Sequence, residues 1–148
     1  MSNVIQKLLQ TDADYVYTFL RIICGIIILP YGMQKLGFRG VGIKATLLDL
    51  KTKKVPQFIA WLIIISQSFG SVALIIGLLG RFAAGGAFII FTGALVVHSP
   101  DGWMLNWFGK KKGEGIEYFV MLLAMLLIII IKGSGAMSID QWLINKLG

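Results

Sequence analysis

Two sets of polar residues stand within or at the ends of long apolar runs, and each has a chemistry open to it. The first centres on Arg21, which interrupts the run Tyr15–Gln34. It lies six residues past the start, roughly 9 Å in at 1.5 Å per residue. A guanidinium at that depth either reaches back to the surface along its own stem or finds partners inside, since an unpaired charge in hydrocarbon costs several kcal/mol or more. Gln67, in SQSFGS of the next run, is in reach from mid-depth, and Asp14 and Asp140 are candidate countercharges at the same membrane face. Such a set can hold a ligand oxygen, with Arg21 anchoring or polarising it and Gln67 completing the hydrogen bonds. The competing reading is helix–helix glue, in which glutamine and serine bond across or along the helices.

The second set lies at the other ends of the same runs. Pro30, Tyr31, Gln34 and Lys35 close the first, His98 closes the third and Glu117 opens the fourth. A histidine and a carboxylate at one depth can relay a proton or hold a quinone oxygen; equally, they can simply meet headgroups and water. His98 is the only histidine and Cys24 the only cysteine, which excludes a haem held by two histidines, a disulfide within the chain and a thiolate metal cluster. The remaining carboxylates are scattered, so no metal site is expected. GSGAM is not a nucleotide-binding fingerprint, because no βαβ context surrounds it.

The elements that must position these residues follow from hydropathy. Of 148 residues, 57% are hydrophobic and only 14% charged, more apolar surface than a small soluble globule can bury. The expected fold is all-α: one integral membrane four-helix bundle with spans about 15–34, 56–79, 82–98 and 117–131, plus short in-plane or interfacial helices. The runs are too long and too uniform for membrane strands. Gly80-Arg81 is the expected turn between the second and third spans. IKATLLDL, within Leu36–Val55, fits a short helix along the membrane surface with Lys44 and Asp49 towards water. Gly133 and Gly135 can end the last span, and Ser138 can cap a terminal helix carrying Ile139, Trp142, Leu143 and Leu147 on one face. Val4, Leu8 and Leu9 suggest a weaker helix at the N-terminus. Trp61, Trp103, Trp107 and Trp142 fall near predicted span ends, as interfacial anchors do.

The net charge of +7 sits between apolar blocks, with no basic groove and no interleaved aromatics, so no nucleic-acid partner is expected. The lipid bilayer is the expected partner, with anionic headgroups meeting the lysines. Nine basic residues fall in the loops after the first and third spans: Lys35, Arg39, Lys44, Lys51, Lys53, Lys54, Lys110, Lys111 and Lys112. Four fall on the other side: Lys7, Arg81, Lys132 and Lys146. That bias places both long loops in the cytoplasm and both termini outside. The first span, without a basic lead-in or cleavage site, is expected to be retained.

The polar markers also stand in a recognisable order. RIICGIIILPYGMQK is followed by IIGLLGRFAA, VVHSPDGW, GEGIEYFVMLL and KGSGAMSIDQWL. In this order the chain resembles the DoxX family of small prokaryotic membrane proteins, from Arg21 to Leu143. The resemblance implies four transmembrane helices, with Gly25, Pro30, Gly32, Gly133 and Gly135 as motif positions. It points to Arg21, Lys35, His98, Glu117, Ser138 and Asp140 for any shared function. Many members carry a glutamate in the second span where this chain has Gln67, which cannot exchange a proton. Family members resemble small subunits of quinone-linked oxidoreductases or scaffolds for soluble redox enzymes. The leading expectation is a small membrane component of such a system, binding quinone within the bundle and, lacking an intrinsic cofactor, incomplete as an enzyme without partner oxidoreductase subunits. The alternatives are a non-catalytic scaffold, contacting partners through Lys51–Lys54 and Lys110–Lys112, and a small-molecule transporter, for which four helices require a homo-oligomer.

Overall fold

The computed structural model describes residues 10–38, 40–109, 113 and 115–147. Six helices follow in order: α1 (Tyr15–Leu36), α2 (Gly42–Thr52), α3 (Gln57–Ile76), α4 (Gly80–His98), α5 (Glu117–Lys132) and α6 (Ile139–Leu147). No strand occurs among the described residues. The N-terminal segment with Val4, Leu8 and Leu9 and the basic residues Lys7, Arg39 and Lys110–Lys112 lie outside them.

Three helices are long and apolar enough to cross a membrane: α1, α3, and α4 with the 3-10 turn that extends it to Asp101. The chain is a multi-pass membrane protein. The fourth expected span, α5, has 16 residues, about 24 Å of helix against a hydrocarbon core of about 30 Å. Glu117 and Lys132 stand at its two ends, where their side chains can extend to the interfaces.

Local chemistry sets the boundaries. The Asp14 carboxylate accepts the Val16 N–H at 2.8 Å and caps α1, and Gly37, at φ 104°, ends it in the left-handed region where glycine carries no steric penalty. Pro30 lies inside α1, and lacks the N–H that a helix interior uses. The turn after α3 departs from the expected Gly80-Arg81. It is made by Gly77, Leu78 and Leu79, and Gly80 already belongs to α4. Gly77 at φ 73° stops α3, and the N–H groups of Leu79 and Gly80 are held by the side chain of Asp140. A carboxylate from the far end of the chain thus fixes the start of α4, which the local sequence does not announce.

The core is one cluster drawn from four helices. Cys24 and Ile28 of α1, Leu74 of α3 and Ala83, Ala84, Ala87 and Phe91 of α4 meet Leu122, Leu123, Leu126 and Ile129 of α5. Alanines on α4 let the leucines of α5 approach its backbone closely, as small residues do in membrane bundles. On the opposite faces Phe19, Phe58, Phe82 and Ile89 are exposed, the arrangement lipid requires and water penalises. The in-plane helix is present as α2, packed against α1 and α3 with Lys44 and Asp49 exposed.

Candidate functional site

The strongest polar constellation lies where the α3–α4 turn meets the segment between α5 and α6. Arg21, on α1, is 1% exposed. It does not reach back to the surface. Its Nε donates to the Ser134 carbonyl at 2.8 Å, Nη1 to the carbonyls of Leu74 and Ile75, and Nη2 to that of Met137. Leu74 and Ile75 belong to the last turn of α3, whose carbonyls have no partner within the helix and carry the negative end of its dipole. A buried cation at that position satisfies both.

Asp140 completes the arrangement from the other side. Its side chain, 1% exposed, accepts the Leu79 N–H at 2.7 Å, the Gly80 N–H at 2.9 Å and the Ser134 hydroxyl at 2.6 Å. Its own N–H donates to the Gly77 carbonyl at 3.0 Å. One turn of chain is therefore gripped at both edges, by a cation at the C-terminus of α3 and a carboxylate at the N-terminus of α4. Arg21 and Asp140 form no direct ion pair; Ser134 joins them, its carbonyl to the arginine and its hydroxyl to the aspartate.

The segment supplying these contacts is tied down residue by residue. Gly133 and Gly135 have φ of 92° and 81°, and a Cβ on Gly133 would sit 2.8 Å from the Gln10 carbonyl oxygen. The Gly135 N–H donates to Thr11 Oγ1 at 2.6 Å, the Met137 N–H to Thr18 Oγ1 at 3.2 Å and the Ala136 N–H to the Asp14 carbonyl at 3.2 Å. Ser138 Oγ accepts the Gln141 N–H at 3.1 Å, which caps α6. Arg21, Gly133, Gly135, Ser138 and Asp140 are thus brought to one place. The sequence reading missed Ser134, Thr11 and Thr18; the hydroxyl between two glycines in GSG was the available signal. An Asp140→Asn variant keeps the shape but removes the charge facing the α4 N-terminus. It should lower stability by about 1–2 kcal/mol, read as a fall in thermal unfolding temperature of the detergent-solubilised protein.

Gln67 is elsewhere. It sits in a π-helical turn, Ser66–Gly70, within α3. The backbone there lies against Gly32, where an added Cβ would collide with the Gln67 carbonyl. Gly32 is eleven residues past Arg21, about 16 Å along α1, so the expected Arg21–Gln67 pair is not assembled. The hydroxyl of Ser71 bonds the carbonyls of Gln67 and Ser68 at 2.7 and 2.8 Å. Gln67 Oε1 and Ser68 Oγ are buried with no hydrogen-bond partner among the described residues. Gly25 makes a second close approach to α3, since a Cβ there would lie 2.8 Å from the Ser71 carbonyl oxygen.

The remaining candidates gather at the opposite end. His98 Nδ1 lies 2.8 Å from Asp101 Oδ2, and its ring stacks on Phe119 at 5.4 Å between centroids. Glu117 Oε2 accepts the Leu105 N–H at 3.4 Å. The two residues share an end of the bundle but bond to different partners, not to each other. Asp101 is the partner the sequence reading overlooked; it stands three residues after His98, one helical turn away. Lys35 Nζ approaches the Tyr31 carbonyl at 3.5 Å. Pro30, Tyr31, Met33, Gln34 and Phe38 line a groove of about 670 Å³ at this end, within the usual size of small-molecule sites. No group of three histidine, cysteine or acidic side chains is placed to hold a metal among the described residues.

The family model described as DoxX matches residues 16–100, a stretch that includes Arg21, Lys35, Gln67 and His98 and stops short of Glu117 and Asp140. No curated protein and no solved structure matches the chain.

Proposed function

Because the chain belongs to the DoxX family, we propose that it serves as the small membrane component of a quinone-linked redox system, giving partner subunits a helical platform and a quinone a groove to dock in. The observation that carries this reading is the groove of about 670 Å³ at the C-terminal end of α1, not Arg21. A guanidinium has five N–H donors, and four face backbone carbonyls, so Arg21 does not fit as the quinone anchor. The groove at the other end fits better. It is mostly apolar, it opens beside α1, and Tyr31 and Gln34 are among its lining residues, with side chains of a type able to donate to a quinone oxygen. A bound quinone supplies the carrier of electrons. Tyr31 and Gln34 orient its headgroup, while Pro30, Met33 and Phe38 exclude water from it.

With one histidine and one cysteine, the chain offers neither a haem pair nor a dithiol, and the electrons come from a partner protein. In this reading the chain resides in a prokaryotic cell membrane with both termini outside the cytoplasm, and the exposed Lys51–Lys54 segment faces the partner. The test is mass spectrometry of the gently purified protein after organic extraction, beside a Tyr31→Phe/Gln34→Leu double variant. Stoichiometric quinone in the parent that falls at least about tenfold in the variant supports the groove. Quinone retained equally by both sinks it. No quinone in either, with a protein partner that co-purifies stably, leaves a purely structural scaffold.

A further inference from the structure

A second, smaller groove lies beneath the in-plane helix, and its chemistry is different. It measures about 320 Å³ and is lined by Lys44, Leu47, Leu48, Lys51, Val55, Gln57 and Ala60. Lys44 and Lys51 are seven residues apart on α2, so they fall on one helix face about 10 Å from each other. Leu47 and Leu48 lie between them. Lys53, the next lysine, is engaged with Asp49 at 2.9 Å, and Asp49 itself lines another groove, with Lys35 and Thr46. Neither Lys44 nor Lys51 has an ion-pair partner among the described residues.

The helix that closes the groove adds to its positive character. α3 begins at Gln57 behind Pro56, with no side-chain cap and no acidic residue in its first turn. Its first N–H groups and the positive end of its dipole are therefore left for an anion. The two lysines stand at either end of the α2 wall, with Leu47 and Leu48 between them, and the uncapped start of α3 with Val55 and Ala60 closes the groove from the other side.

We propose that this groove binds the headgroup of an anionic phospholipid, with the phosphate between Lys44, Lys51 and the start of α3 and the acyl chains leaving past Leu48 and Val55. Free phosphate would use the charge and leave the apolar wall exposed. A zwitterionic lipid would use the wall and bring its own cation to the lysines. Only an anionic amphiphile uses both. The site is independent of the quinone groove, which lies on other residues.

Native mass spectrometry of the detergent-solubilised full chain, titrated separately with phosphatidylglycerol, phosphatidylcholine and inorganic phosphate, tests the assignment. One phosphatidylglycerol should bind in clear preference to the other two. Lys44→Gln with Lys51→Gln should weaken that binding about thirtyfold, as expected for two lysines near a lipid phosphate. Lys53→Gln with Lys54→Gln removes the same charge on the same segment and should change it less than about threefold. Equal binding of phosphatidylcholine, equal loss in the two double variants, or tight binding of phosphate alone would each overturn the proposal.

Discussion

An Arg21→Met variant should unfold, or fail to accumulate, under conditions where the parent is stable. Methionine keeps much of the length and the apolar stem, so the substitution isolates the guanidinium. Four carbonyls, those of Leu74, Ile75, Ser134 and Met137, lose their donors together in a site closed to solvent. Each buried group left unsatisfied costs about 1–3 kcal/mol. Polar contacts in membrane proteins run weaker, nearer 0.6 kcal/mol on average, because the unfolded chain finds partners too. Weighing the two gives a loss of about 3–5 kcal/mol, most of the stability of a small domain. Arg21→Lys should fall between, since an ammonium keeps the charge at the end of α3 but cannot present the planar fork. The measurement is the unfolding midpoint of both variants in a mild detergent. A midpoint for Arg21→Met within about two degrees of the parent would mean that the guanidinium is not the fastener described above.

Gly32→Leu should be damaging too, somewhat less so and for a different reason. Here no charge is lost. The added side chain meets the carbonyl of Gln67 and the Cα of Ser68, which are backbone and cannot turn aside. α1 and α3 must separate along that edge, and the packing of Ile28 and Leu74 in the core goes with it. Overpacking by forced backbone movement costs about 1–3 kcal/mol in soluble cores, occasionally more. The upper end is expected where two helices touch through backbone. Gly85→Leu is the companion variant: nothing lies within 4 Å of its added Cβ, so it should be nearly neutral. Comparing the two by resistance to unfolding in detergent separates close approach from a general intolerance of bulk. Equal losses would remove the special role given to Gly32.

The parts of this fold that were legible in the sequence are those written in local pattern. Hydropathy places α1, α3 and α4 within a few residues, and the amphipathic run around Lys44 and Asp49 announces α2. Ser138 reads as a cap because capping is decided within one turn of helix. What stayed hidden depends on distant partners. The start of α4 is set by Asp140, sixty residues later, and no property of Leu79 or Gly80 reveals that. Arg21 was legible as a buried charge, but its partners are backbone carbonyls, which every residue has and which no composition can single out. Asp140 and Asp14 were candidate countercharges by sign and depth. Asp140 is one, acting on Arg21 through space while its oxygens accept N–H groups at the start of α4; Asp14 instead caps α1, where fixed donors and the helix dipole already favour a carboxylate. Gln67 was misplaced because depth along a span gives a level in the membrane and not a neighbour. The contact between Gly32 and the π-helical turn decides which residues share that level.

The long sequence separation within this fastening sets an order of events during synthesis. Arg21 and the Ser134 carbonyl are 113 residues apart, a stretch that takes very roughly 6–23 s to make at about 5–20 residues per second. During that interval α1, α3 and α4 are already complete, yet the last acceptors of the guanidinium have not been polymerised. The nascent chain therefore passes through a stage in which the deeply placed Arg21 is only half satisfied and the α3–α4 turn has no carboxylate behind it. Chains released early, before Gly133, are arrested in that stage.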